Sequence, residues 1–194
     1  MNYLITAAGL GSRFLKESIK PPKPLIKVKG MELLLWSLKS FDFKSKDNLY
    51  IVTLKRDKVK EILQKKINLI YPQINIYWLE LEKCLNGQLL TSLEAINFFK
   101  IKGEILIHNC DTSYQLEYEK IKNILKKNFF GIIPYFNSEG ENWSFIEIEN
   151  NLITEVKEKE RISNNCSVGT YLFKDSEEFY NLANQYLKEI KNNS

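Results

Sequence analysis

Residues 4–13 read LITAAGLGSR, an apolar run that passes directly into small residues and glycine and ends on a cation, Arg13. A turn of this composition exposes backbone N–H groups, because glycine lets the chain take conformations that a Cβ would obstruct. Amide groups presented beside a positive side chain suit phosphate oxygens. The stretch therefore predicts a phosphate-binding turn at the end of the first strand.

Two better-known glycine loops do not fit this stretch. A P-loop requires Gly-Lys followed by Ser or Thr, which the stretch lacks. The dinucleotide fingerprint requires a third glycine where Phe14 stands and an acidic residue ending a second strand, whereas residues 21–25 are PPKPL. Lys23 in that segment adds a second cation, and two fixed cations beside amides suit a triphosphate. A tight strand-to-helix turn with two solvated cations remains the alternative.

Residues 8–13 (AGLGSR) and 23–31 (KPLIKVKGM) resemble the nucleotidyltransferase superfamily that makes nucleotide-sugars, enzymes similar to glucose-1-phosphate thymidylyltransferase. The family pattern is an apolar strand, Ala-Gly-x-Gly-x-Arg, a spacer, Lys-Pro-x-Pro-Leu or a close variant, then a short strand and a glycine before a helix. One proline of that pattern is missing here. The resemblance implies a nucleotidyltransferase that moves NMP from an NTP to a sugar-1-phosphate or another small phosphomonoester and releases pyrophosphate, with a role in surface-polysaccharide precursor synthesis.

The resemblance also implies which residues act on the nucleotide. Arg13 would steady the leaving phosphates as a catalytic residue, and Lys23 would act on the α-phosphate and the attacking oxygen. Asp111 follows the apolar run 105–110, where a carboxylate could hold Mg²⁺, the expected cofactor, although it could equally be a helix N-cap or a turn carboxylate. The expected nucleotide-binding residues are Ala7, Ala8, Gly9, Gly11, Ser12, Arg13, Gly87 and Gln88.

Two further segments extend the resemblance. Gly87 and Gln88 stand at a predicted strand-to-helix turn, where an amide could hydrogen-bond the edge of a base, with a helix cap as the alternative. Residues 155–159 (EVKEK) and 162–171 (ISNNCSVGTY) resemble the family's acceptor elements, although the first is also an ordinary charge-alternating hairpin end. The expected acceptor-binding residues are Glu158, Lys159, Asn164 and Gly169.

Length and composition fit one soluble domain. The 194 residues are 44% hydrophobic, enough for one core, so we expect a single domain over 1–194 with a nucleotide-binding half (about 1–115) and an acceptor-binding half (about 116–194). The net charge of +4 is spread along the chain, so no nucleic-acid partner is expected. Three widely spaced cysteines fit a reducing cytoplasm, and no run is long enough for a membrane span. Oligomeric state is not indicated.

Short β-rich runs alternate with segments of helical period, which predicts an α/β fold with a Rossmann-like, mostly parallel sheet flanked by helices, of the nucleotide-diphospho-sugar transferase or GT-A-like type. A small β-hairpin around Asn150 and Asn151 would form the acceptor region. The expected strands are 3–6, 49–54, 74–79, 104–108, 130–135, 143–149, 152–157 and 168–173, and the expected helices are 33–41, 58–66, 89–99, 117–127 and 177–190.

The one histidine, His108, lies inside a predicted strand and is expected to be a packed residue rather than a proton shuttle.

Several alternatives for the whole chain stay open. Longer relatives carry a second metal-binding Asp in a further segment, whereas Asp175 here stands where capping is expected, so the chain is either a shortened enzyme or C-terminally truncated. Other readings are a cytidylyltransferase for a non-sugar phosphate such as phosphocholine or a phospho-amino acid, a non-catalytic nucleotide-binding protein, and a glycosyltransferase of related fold.

Overall fold

The computed structural model of the protein describes residues 1–115, 124 and 129–192. The helix expected over residues 117–127 lies, apart from Ile124, outside the described residues. Among the helices that are described, none combines the length and the apolar character needed to cross a bilayer.

The described strands are β1 (Asn2–Ala7), β2 (Lys27–Val28), β3 (Met31–Glu32), β4 (Asn48–Leu54), β5 (Asn75–Leu81), β6 (Ile105–Asn109), β7 (Gly131–Ile132), β8 (Tyr135–Asn137), β9 (Ser144–Glu149), β10 (Leu152–Glu158), β11 (Asn165–Ser167) and β12 (Thr170–Phe173). The described α-helices are α1 (Ser12–Lys16), α2 (Leu33–Leu38), α3 (Val59–Ile70), α4 (Gly87–Phe99) and α5 (Ser176–Asn192). Single 3₁₀ turns occupy Lys23–Leu25 and Lys55–Asp57.

A six-stranded sheet in the order β5-β4-β1-β6-β12-β7 forms the centre of the fold. β5, β4, β1 and β6 are mutually parallel neighbours, and β12 runs antiparallel to both β6 and β7. The predicted α/β class with a mostly parallel sheet is therefore confirmed.

Both faces of the sheet are covered by helices. Consecutive residues of β1 point to opposite faces: Ile5 packs in a cluster with Leu34 of α2 and Leu63 of α3. Leu4 packs on the other face with Leu93 of α4 and Phe179 of α5. Burial on both faces explains why the parallel strands read as continuous apolar runs in the sequence.

A second, four-stranded antiparallel sheet in the order β10-β9-β11-β8 contains the predicted hairpin. Asn150 and Asn151, between β9 and β10, have φ of 51° and 63°, which asparagine tolerates in a tight hairpin turn. The expected single strand over residues 130–135 is wrong in detail. The chain leaves the central sheet after β7, passes Pro134, which has no N–H to donate, and enters the second sheet as β8.

Parallel pairing places the candidate site at one edge of the central sheet. Thr6 of β1 is the register partner of Asn109 at the end of β6, so the turn after β1 and the loop after β6 leave the sheet side by side. Ligands of open α/β sheets bind at this carboxyl edge. Asp175, by contrast, caps α5, since its Oδ1 accepts hydrogen bonds from the N–H groups of Glu177 (2.8 Å) and Glu178 (2.9 Å), as expected.

Candidate active site

The glycine-rich turn connects β1 to the short helix α1. Ala7 and Ala8 are buried, and Gly11 has φ 62° and ψ 30°, a left-handed conformation that favours glycine. A Cβ on Gly11 would lie 3.2 Å from the Cβ of Lys23. The glycine therefore permits the close approach of the turn to the segment that carries the second predicted cation. Gly9, by contrast, faces open space, since a Cβ there would have no described atom within 4 Å.

Lys23 and Asp111 form an ion pair although they are far apart in the sequence. The Nζ of Lys23 lies 2.7 Å from Oδ2 of Asp111, and the two side chains are only 25% and 29% exposed. Partial burial reduces solvent screening, so this pair interacts more strongly than ordinary surface pairs do. The predicted catalytic lysine and the predicted metal ligand are thus in direct contact.

A cleft of about 1070 Å³ lies between the central sheet and the second sheet. Seven of the predicted site residues line it: Gly11, Ser12, Arg13, Lys23, Asp111, Glu158 and Gly169. The structure brings together the turn after β1, the loop after β6 and the acceptor elements, which are distant in sequence. Ala7, Ala8, Gly9, Gly87, Gln88, Lys159 and Asn164 lie outside its lining.

The predicted base-binding pair stands at the start of α4. Gly87 has φ 88°, and its position has open space where a Cβ would be. The Nε2 of Gln88 is shielded from solvent and has no hydrogen-bond partner among the described residues. A buried amide donor is seldom left unpaired in native proteins, because its desolvation is costly.

The acceptor side of the cleft centres on Glu158, at the end of β10. Its carboxylate accepts a short hydrogen bond from the hydroxyl of Ser144 and lies 3.3 Å from the Nζ of Lys159. The Oδ1 of Asn164 accepts a hydrogen bond from Arg161 at 2.9 Å, and Asn164 does not line the cleft. Arg161 also donates to the carbonyl of Gly140 at 2.6 Å, so it ties together the loops that border this side.

Gly169 and Asn109 are in tight contact across β6 and β12. Gly169 has φ 75°, and a Cβ there would collide with the side-chain amide of Asn109. The N–H of Asn109 donates to the carbonyl of Gly169 at 3.3 Å, while the Oδ1 of Asn109 is buried without a partner among the described residues. Glycine is thus required at position 169 to seat the asparagine that precedes the Asp111 loop.

Two titratable groups behind the cleft are kept neutral by burial. Burial lowers the pKa of His108 to about 4, against a hydrogen bond to the Thr112 carbonyl and the Asp111 charge, which both raise it. Burial likewise raises the pKa of the Cys110 thiol to about 12. His108 is therefore a packed, hydrogen-bonded strand residue, as its sequence position predicted, and Cys110 is an unreactive thiol.

Solved structures share this architecture. The nucleoside-diphosphate-sugar pyrophosphorylase of Vibrio cholerae RC9 matches with a TM-score of 0.78 and 25% identity over 96% of this chain and 78% of its own. A UDP-glucose pyrophosphorylase complexed with UDP-glucose matches with a TM-score of 0.72 and 18% identity over 93% and 77%. The inositol-1-phosphate CTP transferase of T. maritima matches with a TM-score of 0.72 and 14% identity over 93% and 72%. The chain has the sugar-phosphate nucleotidyltransferase fold. No protein-family model matches the sequence, and no curated protein sequence matches it.

A sugar-phosphate nucleotidyltransferase fold implies a divalent metal, and the residues present fit Mg²⁺ bound together with a nucleotide. Asp111 supplies one carboxylate to the cleft. The described residues contain no group of three or more His, Cys, Asp or Glu side chains that could hold a metal ion. Mg²⁺ is commonly bound by one or two carboxylates plus substrate phosphates, so a single carboxylate facing a phosphate-binding turn is a suitable donor set.

Several residues that line the cleft were not predicted from the sequence. Asn109 could have been found, because it directly follows the predicted parallel strand 104–108 and residues at such strand ends often contribute to binding sites. Tyr114, Phe136 and Trp143 line the cleft, but aromatic residues beside strands usually indicate packing and gave no signal. Glu17, one turn past the phosphate-binding segment, also lines it without a sequence pattern that marks it.

Proposed function

We propose that the protein is a Mg²⁺-dependent nucleotidyltransferase that transfers NMP from an NTP to a small phosphorylated acceptor and releases pyrophosphate. The observation that carries the proposal is the contact between Lys23 and Asp111, 2.7 Å apart, in a cleft that also contains the glycine turn. A cation and a carboxylate beside exposed backbone amides match the needs of a triphosphate and its metal. Solved relatives of the same fold, nucleotidyltransferases among them, support this assignment.

The reaction needs no nucleophile from the protein. An oxygen of the acceptor phosphate attacks the α-phosphorus of the NTP, and the bond from that phosphorus to the β-phosphate oxygen breaks as pyrophosphate leaves. Lys23 would neutralise the α-phosphate and the attacking oxygen, and Arg13, exposed on the helix after the turn, would steady the leaving phosphates. Bound Mg²⁺, held by Asp111, would spread the negative charge that accumulates on the phosphates.

The nucleotide would lie along the turn between β1 and α1. A Cβ on Gly9 would meet open space, so the fold itself does not require glycine there. A phosphate that approaches the backbone closely would require it, because a Cβ would stand in its way. Ala7, Ala8, Gly11 and Ser12 would complete this cradle. Gly87 and the unpaired Nε2 of Gln88 would bind the base. This division leaves the first half of the chain for the nucleotide and the second for the acceptor.

The acceptor would occupy the end of the cleft beside the second sheet. Glu158 would accept hydrogen bonds from hydroxyl groups of the acceptor substrate, and the neighbouring Ser144 would donate to them. Lys159 would contribute positive charge near the phosphate of that substrate. Asn164 and Gly169 would shape the pocket rather than reach into it, since the first is bonded to Arg161 and the second lacks a side chain. A sugar-1-phosphate fits this set, and its nucleotide-sugar product would serve surface-polysaccharide synthesis.

A second candidate acceptor is a phosphomonoester that carries an ammonium group, the substrate of a cytidylyltransferase acting on phosphocholine or a phospho-amino acid. Phe136 and Trp143 meet edge to face at 5.0 Å in the same end of the cleft as Glu158, and Trp143 is 40% exposed. Aromatic faces beside a carboxylate bind organic cations well. The same surface also suits the apolar face of a sugar ring, so acceptor screening decides between the two.

The test is pyrophosphate release with Mg²⁺, using ATP, CTP, GTP, UTP or dTTP with pooled sugar-1-phosphates or with phosphocholine and other phosphomonoesters that carry an ammonium group. Asp111→Asn serves as the control. Release that requires one NTP, one acceptor pool and an intact Asp111 would establish the proposed reaction and name its substrates. NTP binding without release would favour a non-catalytic nucleotide-binding protein, and hydrolysis of a nucleotide-sugar would favour a glycosyltransferase.

A further inference from the structure

A chain of hydrogen bonds runs from the cleft into the core through Tyr114, Thr170 and His108. The hydroxyl of Tyr114 donates to Oγ1 of Thr170 at 2.6 Å, and Oγ1 of Thr170 lies 2.7 Å from Nδ1 of His108. The Nε2 of His108 lies 3.0 Å from the carbonyl oxygen of Thr112. This series of hydrogen bonds thus begins at Tyr114 in the cleft and ends at the backbone of Thr112, the residue after Asp111.

The direction of every bond in this chain is fixed by chemistry. A carbonyl oxygen only accepts, so Nε2 of His108 carries the proton and donates it to Thr112. Nδ1 is then a lone pair, which accepts the hydroxyl proton of Thr170, and Thr170 in turn accepts from Tyr114. The Thr170 hydroxyl accepts from Tyr114 and donates to His108, so removing it deletes both of these hydrogen bonds.

Burial makes this arrangement rigid. His108 and Thr170 are both 0% exposed, and they are direct register partners on the antiparallel strands β6 and β12. The ring of Phe41 meets the imidazole edge to face at 5.0 Å. The imidazole therefore has little freedom to turn away from the Thr112 carbonyl.

The loop after β6, which carries Asp111, is anchored on both sides of that residue. Before it, the carbonyl of Asn109 accepts a hydrogen bond from the Ser37 hydroxyl at 3.0 Å. After it, the carbonyl of Thr112 is held by His108, and the N–H of Tyr114 donates to Ser40 at 3.0 Å. Asp111 sits between these anchors with its carboxylate directed at Lys23.

We propose that His108, Thr170 and Tyr114 form a positioning relay that sets the direction of the Asp111 carboxylate toward the metal and phosphates, an inference that rests on the proposed function. The relay acts through the backbone at Thr112, whose carbonyl accepts the hydrogen bond from His108. Partners behind a metal ligand commonly change metal affinity or activity by about 10- to 100-fold when they are lost. A displacement of about 1 Å is enough to produce an effect of that size.

The experiment measures binding of pyrophosphate, the proposed product, because it reports on the phosphate site without knowledge of the base. Calorimetric titrations compare magnesium pyrophosphate with pyrophosphate in the presence of a chelator, for the wild type and for Thr170→Val, Thr170→Ser and Tyr114→Phe. Asp111→Asn gives the effect of losing the carboxylate itself. Thr53→Val is the matched control, since its Oγ1 is buried in the same sheet but has no hydrogen-bond partner among the described residues.

Thr170→Val is expected to weaken magnesium pyrophosphate binding by about 10- to 100-fold while metal-free pyrophosphate binding stays within about twofold. Thr170→Ser, which restores the hydroxyl, should recover most of the affinity, and Thr53→Val should bind like the wild type. Tyr114→Phe, which keeps the bond between Thr170 and His108, should show a smaller loss of the metal-dependent affinity. It also provides the measurement if Thr170→Val fails to fold.

Equal weakening with and without Mg²⁺ would indicate a general structural role and overturn the relay. Wild-type affinity in Thr170→Val, or an unchanged Tyr114→Phe if the first variant does not fold, would overturn the relay while leaving the proposed function intact. Absence of Mg²⁺-dependent pyrophosphate binding by the wild type would overturn the proposed function, and the relay with it.

Discussion

The Nζ of Lys23 and Oδ2 of Asp111 lie 2.7 Å apart at the point where the turn after β1 meets the loop after β6. Each charge orients the other, so both are held in place before a nucleotide arrives. Preorganised charges stabilise a transition state without the cost of reorientation during the reaction. The pair therefore connects the two segments that the proposed mechanism needs to act together.

Replacing Lys23 with alanine is expected to slow pyrophosphate release by about 100- to 1000-fold, the usual effect of removing one preorganised donor. The fold should be retained, because Lys23 is partly exposed and the ion pair is not in the core. Steady-state kinetics with a circular dichroism melt would measure both effects. Lys20→Ala is the matched control, since Lys20 is exposed and does not line the cleft. Normal turnover in Lys23→Ala would rule out the role assigned to Lys23.

Gly169→Ala is expected to destabilise the protein and to displace Asn109. The residue has φ 75°, which costs about 1–3 kcal/mol for a residue with a Cβ, and the added methyl would also collide with the Asn109 amide. Gly103→Ala separates the two effects, because Gly103 has φ 79° but open space around its Cα. Chemical denaturation should show the larger loss for Gly169→Ala.

Shortening the asparagine tests the collision directly. The double variant Gly169→Ala with Asn109→Ala should recover part of the stability lost in Gly169→Ala alone, because the amide that the methyl would strike is gone. Strictly additive free energies of unfolding would show that the two side chains do not meet.

The parallel strands of the central sheet were predictable because burial on both faces produces continuous apolar runs. β1, β4 and β6 were expected within a residue or two of their observed ends. The hairpin at Asn150 and Asn151 was predictable from its turn residues. β8 and β11 were not recognised as a paired unit, because each is three residues long and contains polar residues that give no period.

Spatial relationships within the site were less accessible from sequence. Lys23 and Asp111 could each be assigned a role from their surroundings in the chain, but their contact depends on how two loops leave the sheet. Gly169 was predicted to bind the acceptor and does line the cleft, but its tight contact with Asn109 could not be predicted from the sequence. A glycine can be required by a side chain that packs against it from a distant part of the sequence, and the sequence alone does not identify that side chain.

Stability should fall as the pH is lowered through the range set by His108. Burial lowers the pKa of His108 from 6.5 to about 4 in the folded protein, so the unfolded chain takes up a proton at higher pH than the folded one. Between these values the unfolded state binds more protons, and this group's contribution to the free energy of unfolding decreases by about 1.4 kcal/mol per pH unit as pH falls.

Urea denaturation of wild type and His108→Asn between pH 7 and pH 4 would measure this contribution. His108 is the only histidine in the chain, so the difference between the two proteins isolates it from the carboxylates. The stability advantage of the wild type should shrink as the pH falls. Parallel curves for the two proteins would show that His108 titrates alike in the folded and unfolded states.

Gln88→Ala is expected to reduce discrimination among the bases more than it reduces turnover. The Nε2 of Gln88 is shielded and unpaired among the described residues, so a base that offers an acceptor gains a hydrogen bond without displacing another partner. One neutral hydrogen bond is worth about 0.5–1.5 kcal/mol, which corresponds to a loss of up to about tenfold in kcat/KM for the preferred NTP. Competing NTPs that cannot use this donor should lose little kcat/KM.

Measuring kcat/KM for each NTP tests this prediction, with Gln185→Ala as the control because Gln185 is hydrogen-bonded to Glu189 on α5. An equal loss for every NTP would assign Gln88 to the structure of α4 rather than to the base.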